Sequence, residues 1–331
     1  MLIRRIITLI KNCSKILKFL ISNSKVVINL NIILKTINAA INETLSILIY
    51  KNSAKVDKQL LYTTIKKNAH LLDKYMQFPI HDKKQKLLDL NYIKLKNSLQ
   101  QWNKNHYGKN DPIIWATRIL EDYETFYPEK CPDCRFMNTE TNVFSSIDTE
   151  KLLFLMKKRR SRRFYSSTPL NKKEKDLLIE AAIYAPSSCN RQSIRFIFIE
   201  EPNLKKFVSE CVPGGREFFN LAPTIIIALA DKRDYRYPDG RVTPYQDTAA
   251  AIQNLLLIAE TMDLACCWAS LTSYEDIINE AKFRNLLNIP EFLLITGSVA
   301  IGHKSKEVAN IPRDNPRNKY SIDKFYWSNN K

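Results

Sequence analysis

The sequence predicts a layered α/β (α+β) sandwich, a sheet flanked by helices, joined to a mostly helical N-terminal extension. Residues 1–127 carry apolar side chains at three- and four-residue spacing, and from about residue 147 short apolar runs alternate with helical ones. Between them, in 128–146, Pro128, Pro132 and two cysteines break any apolar period, as a linker would. The expected organisation is a helical extension at 1–127, a linker at 128–146 and the sandwich domain at 147–331.

Residues 1–50 are basic and apolar, with seven Lys or Arg before the first acid, Glu43. The longest uncharged run, Val26–Leu34, has nine residues, short of the roughly 20 that a membrane-spanning helix needs. Lys11 breaks the apolar run after Ile6–Ile10, against a secretory signal. The segment suits helices packed on the rest of the protein or, as the second reading, a basic amphipathic helix in peripheral contact with a membrane. Residues 51–127 continue in helical style through Leu60, Leu61 and Ile65, then Leu87, Leu88 and Leu90. His70 and Asp73 share a helical face there, and a structural hydrogen-bonded pair is preferred to a catalytic one.

In the sandwich, Ile147–Lys158 reads as a helix with Leu152, Leu153, Leu155 and Met156 inward. Lys172–Tyr184 reads as a second, striped by Leu177, Leu178, Ala181 and Ala182. Asn171 should cap it, with Glu174 completing a capping box. Strands are expected at Ile194–Ile199, Thr224–Ala230, Leu264–Ala269 and Leu293–Ile301. Gln246–Met262 is apolar around most of its circumference and should be a buried helix.

Composition removes several classes of function. Six glycines in 331 residues leave no Gly-rich phosphate loop. The net charge of +17 is spread along the chain and forms no dense basic tail, so no specific nucleic-acid partner is expected. Seven irregularly placed cysteines fit a reducing, cytoplasmic setting, at the periphery of a membrane on the second reading of residues 1–50. Cys131-Pro-Asp-Cys134 is a lone pair without further ligands, and no metal site is expected.

Two polar clusters carry the chemistry. Arg159-Arg160-Ser161-Arg162-Arg163 concentrates guanidinium groups, whose planar forks suit phosphate. Pro186-Ser187-Ser188-Cys189-Asn190-Arg191-Gln192 is a turn rich in small donors and acceptors that leads into the first strand. Together they suit a phosphorylated, hydroxyl-bearing cofactor.

The pattern Arg159-Arg160-Ser161-x-Arg163, followed by Pro186-Ser187-Ser188-x-Asn190-x-Gln192, resembles the FMN-binding half of the nitroreductase family. So do Asp247 to Ala259 with Leu264 to Trp268, and Leu293 to Gly302 followed by Arg313 and Arg317. The likeness covers about residues 146–331. Asn68-Ala-His70-Leu-Leu-Asp73-Lys74 is also similar to a segment upstream of some bacterial domains of this kind. One departure is Ser193-Ile194, where the family usually has Pro-Trp.

The resemblance implies a central mixed sheet and an intertwined homodimer with FMN at the interface. Arg159, Arg160, Ser161 and Arg163 would bind its phosphate and ribityl chain, with Arg313 or Arg317 closing the phosphate site. Pro186, Ser187, Ser188 and Asn190 would meet the ribityl chain and a ring edge, and Asp247 would reach ring or ribityl from the partner subunit. Trp268, Ala269 and Ser270 would approach flavin N5. No protein side chain is expected to act as a catalytic group, because the chemistry occurs at N5. The implied activity is ping-pong hydride transfer from NADH or NADPH to a small-molecule electron acceptor: a nitroaromatic, quinone, enone or biosynthetic intermediate. The alternative is a non-catalytic scaffold of the same fold that binds a partner or membrane through its basic N-terminus.

Overall fold

The computed structural model describes residues 57–77, 82–126, 144–212, 215–235, 239–272, 280–309 and 311–316, with Ile37, Ile41, Lys319 and Ile322 as isolated positions. The expectations for residues 1–50, Ile37 and Ile41 apart, for the CxxC pair and for Arg317 lie outside them.

Three helices come first: α1 (Lys58–Met76), α2 (Asp82–Lys104) and α3 (Asp111–Phe126). The Asp57 side chain caps α1 by accepting from Leu60 N at 2.8 Å. The three share a core of their own, with Ile65, Leu72, Leu88, Leu95, Trp102 and Ile113 nearly excluded from solvent. Of the expected inward positions Leu61, Ile65 and Leu88 are buried, whereas Leu87 and Leu90 face outward.

The second body holds α4 (Ser146–Lys158), α5 (Lys172–Ile183), β1 (Ile194–Ile199), α6 (Pro202–Cys211), α7 (Arg216–Leu221), β2 (Thr224–Asp231), α8 (Thr243–Thr261), β3 (Leu264–Ala269), α9 (Glu280–Leu286) and β4 (Leu293–His303). The strands pair in the order β1-β2-β4-β3, every pair antiparallel. The mixed sheet implied by the resemblance is reduced, among the described residues, to one parallel bridge between Ser161 and Cys266. The chain leaving α4 runs beside β3 for that single pair. The capping box of α5 is formed as expected: Glu174 N donates to Asn171 Oδ1 at 2.9 Å, and Asn171 N donates to Glu174 Oε2 at 2.8 Å.

Both faces of the sheet are covered, so β2 reads as a continuous apolar run instead of an alternation. Its successive residues divide between the layers by the two-residue period of a strand. Ile225, Ile227 and Leu229 pack with Val208, Phe219 and Phe283. Ile226 and Ala228 pack with Leu178 on α5 and Ile252, Leu255 and Ala259 on α8. The register between β2 and β4 shifts at Ala228/Leu229. There the Thr296 hydroxyl donates to Ala228 O at 3.0 Å and meets Thr248 Oγ1 at 3.0 Å, so the bulge ties the sheet to α8. Gly302 is fixed by space: a Cβ there would lie 2.3 Å from Pro223 Cγ.

One expectation fails. No residue of α4 is buried, and Leu152, Leu153 and Met156, expected inward, are 45–51 % exposed, with Ile147 and Phe154 more so. The apolar stripe is present, but no described element of the chain covers it.

Candidate functional site

The site is built at two places, the extended segment after α4 and the loop before β1. In the first, extended backbone sends successive side chains to opposite sides. Arg162 turns inward, 3 % exposed, where Nη1 pairs with Glu260 and Nη2 lies 3.6 Å from Glu307. Its backbone N–H donates to Cys266 O at 2.9 Å, which fastens the segment to β3. Ser161 and Arg163 turn outward and are exposed. Arg163 lies over the Phe218 ring at 5.3 Å.

Arg159 and Arg160 are half-buried, and Arg160 Nη1 donates to Arg159 O at 2.9 Å. Burial, then the neighbouring charges of Arg313 and Arg160, disfavour the charged form of Arg159, and Glu260 offsets this in part. The charges of Arg313 and Arg160 are therefore both felt at Arg159, an arrangement that an anion would stabilise.

The second place is a short 3₁₀ turn, Ser188–Asn190, followed by Arg191 and Gln192. Cys189, Asn190 and Gln192 each have φ of 51°, in the left-handed region that side-chain-bearing residues seldom occupy. Surrounding bonds fix this geometry. Asp247, at the start of α8 and 6 % exposed, accepts from Ser188 N (3.0 Å) with Oδ1 and from the Tyr235 hydroxyl (2.9 Å) with Oδ2. The Tyr235 hydroxyl also meets Ser193 Oγ at 2.7 Å. Buried Arg191 donates to Asp234 O (2.8 Å), Ser188 O (2.9 Å) and Ser188 Oγ (2.6 Å). Burial and the Asp247 charge push the Tyr235 hydroxyl well above the usual tyrosine range, so it stays protonated and donates.

Asp247 was expected to point at ring or ribityl from the partner subunit. Within its own chain it is instead the buried anchor of the loop, with each carboxylate oxygen taking a hydrogen bond from this protomer. Tyr235 is 3 % exposed and belongs to the same network. The expected loop residues still reach the surface: Pro186 is exposed, and Ser187, Ser188 and Asn190 are half-buried. Ser187 and Gln192 also edge a cavity of about 210 Å³, floored by Ile179, Ile183, Phe196 and Phe198.

At the end of β3, Trp268 is 40 % exposed, with Ala269 half-buried and Ser270 exposed. The chain passes close behind the indole at Gly297, where a Cβ would come within 3.2 Å of Trp268 Nε1. Arg191, Gln192 and Tyr235 were not named as site residues. Arg191 and Gln192 sit inside the motif, but their roles depend on a fold that brings Asp234, Tyr235 and Asp247 beneath the loop. Among the described residues no group of acids, histidines and cysteines could hold a metal.

Residues 156–303 match the model of the nitroreductase family. This part of the chain is similar to that family. The matched part is 28 % identical over 178 residues to an Archaeoglobus fulgidus protein named NADH dehydrogenase/NAD(P)H nitroreductase, covering 54 % of this chain and 99 % of the relative. It is 26 % identical over 169 residues to the FMN reductase [NAD(P)H] of Bacillus subtilis, covering 46 % and 66 %. A solved structure of an FMN-dependent nitroreductase from Clostridium difficile is 27 % identical, with a TM-score of 0.46 over 52 % of this chain and 99 % of that one. Helices α1–α3 lie outside the matched residues.

Proposed function

We propose that this chain is an FMN-dependent oxidoreductase that takes reducing equivalents from NADH or NADPH. The single observation that carries the reading is the arginine run after α4, with Ser161 and Arg163 turned outward and Arg159 under the charges of Arg313 and Arg160, where a phosphate would be stabilised. The comparisons support it through the family match and the names of the relatives. When bound, FMN supplies hydride chemistry at its N5 that no protein side chain offers.

The residues fit such a group. The three arginines, with Ser161 beside them, suit a phosphate, each charged hydrogen bond contributing about 1.5–3 kcal/mol. Arg163 is placed to add a further contact. Ser187, Ser188 and Asn190 offer hydroxyl and amide groups to a ribityl chain or ring edge, on a loop that Asp247 and Arg191 hold rigid. The exposed end of β3, with Trp268, Ala269 and Ser270, shapes a second side. Donor and acceptor would use one site in turn, a ping-pong course, the acceptor being a small nitroaromatic, quinone, enone or biosynthetic intermediate.

The exposed apolar face of α4 supports a homodimer, because monomers seldom leave so large a stripe in water. A sedimentation mass of one chain would remove that part of the reading. Among the described residues no helix is long and apolar enough to cross a membrane. Peripheral contact through residues 1–50 and a cytoplasmic setting remain part of the proposal.

The test is the visible spectrum of the purified full-length protein, with the released chromophore identified. FMN near one per chain, reduced by NADH or NADPH, is expected. A protein that stays colourless after incubation with FMN overturns the assignment and favours the scaffold reading.

A further inference from the structure

Gln192 is hydrogen-bonded at all four of its polar atoms, and one of its partners comes from outside the matched segment. Its N–H donates to Ser187 Oγ at 3.1 Å, and its carbonyl accepts from Arg195 Nη1 at 3.3 Å. Its side-chain Nε2 donates to Asn190 Oδ1 at 2.7 Å. Its Oε1 accepts from Lys66 Nζ of α1, 126 residues earlier in the chain, at 3.5 Å. Lys66 is 2 % exposed and its ammonium lies 4.6 Å from the Tyr62 ring centroid.

We propose that Lys66 is a positioning residue of the cofactor loop: it fixes the orientation of the Gln192 amide and, through it, the donor that Asn190 presents. The argument follows from what each group can do. An ammonium has donors and no acceptor, so only Oε1 of Gln192 can face it. Nε2 must then point the other way, toward Asn190, and the Asn190 atom that receives it must be Oδ1. The Asn190 NH₂ is left as its group for a ligand, so the loop offers a donor to an acceptor edge such as a ring carbonyl or ring nitrogen. Without Lys66 both amides could turn over together, and Asn190 would present an acceptor.

The loop also needs such a clamp. Three residues with left-handed φ persist only where the surroundings over-determine them. The extension is docked where it can serve: Arg233 Nη1, beside the segment that carries Asp234 and Tyr235, reaches Asp57 at the head of α1 at 2.7 Å. Burial and the nearby Arg195 charge lower the Lys66 pKa to about 8, so the ammonium is retained near neutrality.

The assignment of Asn190 as a cofactor contact rests on the flavin reading, whereas the clamp does not. The test uses full-length protein and the variants Lys66→Met, Lys66→Arg and Gln192→Leu. Hydrogen exchange of the amides at 188–193 is followed without added cofactor, and FMN affinity by flavin fluorescence. For Lys66→Met we expect exchange at Asn190 and Gln192 to quicken about tenfold and FMN to bind about five- to tenfold more weakly, with no loss of Tm because a desolvated cation is removed. Lys66→Arg, another pure donor, should restore both. Gln192→Leu should match Lys66→Met, and the double variant should be no worse than either.

Additive losses, or unchanged exchange in Lys66→Met, overturn the clamp. Should Lys66→Met fail to fold, unchanged Asn190 exchange in Gln192→Leu overturns it equally. Should the wild type take no FMN, the flavin reading falls, and exchange in the cofactor-free protein still decides whether Lys66 holds the loop.

Discussion

The arginine run 159–163 and the loop 187–192 are both polar, both short and both part of the candidate site, yet their bonds go to different places. In the loop nearly every polar group is used inside the protein: Asp247 takes the Ser188 amide, Arg191 takes two carbonyls and a hydroxyl, and Gln192 is held at all four of its polar atoms. Among the described residues of the run Arg162 is paired deeply, with Glu260, while Arg159 lies under the charges of Arg313 and Arg160. One region spends its hydrogen bonds on shape and the other concentrates positive charge. Mutations should therefore cost stability in the loop and affinity in the run.

The largest effect is expected at Asp247. Asp247→Ala removes the acceptor for the buried Ser188 amide and Tyr235 hydroxyl at once, and should cost about 2–4 kcal/mol in denaturant unfolding. Asp247→Asn keeps one acceptor and should cost less than half of that. Equal, small losses from both would break the contrast, because they would mean that the loop is not held from below.

Next come the arginines. Arg313→Ala and Arg159→Ala should each weaken FMN binding by about 10- to 100-fold, the size of one lost charged hydrogen bond. Neither should lower the stability of the cofactor-free protein, and each should relieve some repulsion. A fall of the melting temperature in cofactor-free protein, with affinity unchanged, would place these arginines among the structural groups and erase the difference between the regions.

How much of this could be read in advance follows from the reach of each signal. The strands β1 and β3, the α5 capping box and the buried helix α8 are local patterns, and each appears where the sequence placed it. The proposal that Arg159, Ser187, Asn190 and Asp247 share one site came from the family likeness. The inward face assigned to α4 went wrong because a period of 3.6 shows which side of a helix is apolar, not whether this chain supplies the cover. Asp247 was legible as a site residue but not as an anchor, since its partner Tyr235 reaches it only through the turn after β2. Lys66 gave no signal at all. One lysine on a helix of lysines is distinguished only by where the helix docks.

The smallest effect expected lies beneath the loop, at Asp234, whose backbone carbonyl holds Arg191 while both carboxylate oxygens are buried with no partner. Burial, then the charge of Asp231, raises its pKa to about 8, against the pull of Arg195, Arg233 and Lys66. Between about pH 4 and 8 the folded protein keeps this proton and the unfolded chain has lost it. The native state thus binds more protons, and stability must fall as pH rises through that window. Lys66, lowered to about 8, acts in the opposite sense only above that pH, where its unfolded form still holds a proton, and His70, lowered by burial, does so below the usual histidine value. Comparing Asp234→Asn with wild type below pH 8 cancels the His70 part. The variant should gain stability relative to wild type from pH 5 to pH 8, seen as a flatter curve of unfolding free energy against pH. Parallel curves would mean that the carboxyl finds water or a partner in solution. The support beneath Arg191 would then be looser than the loop above it requires.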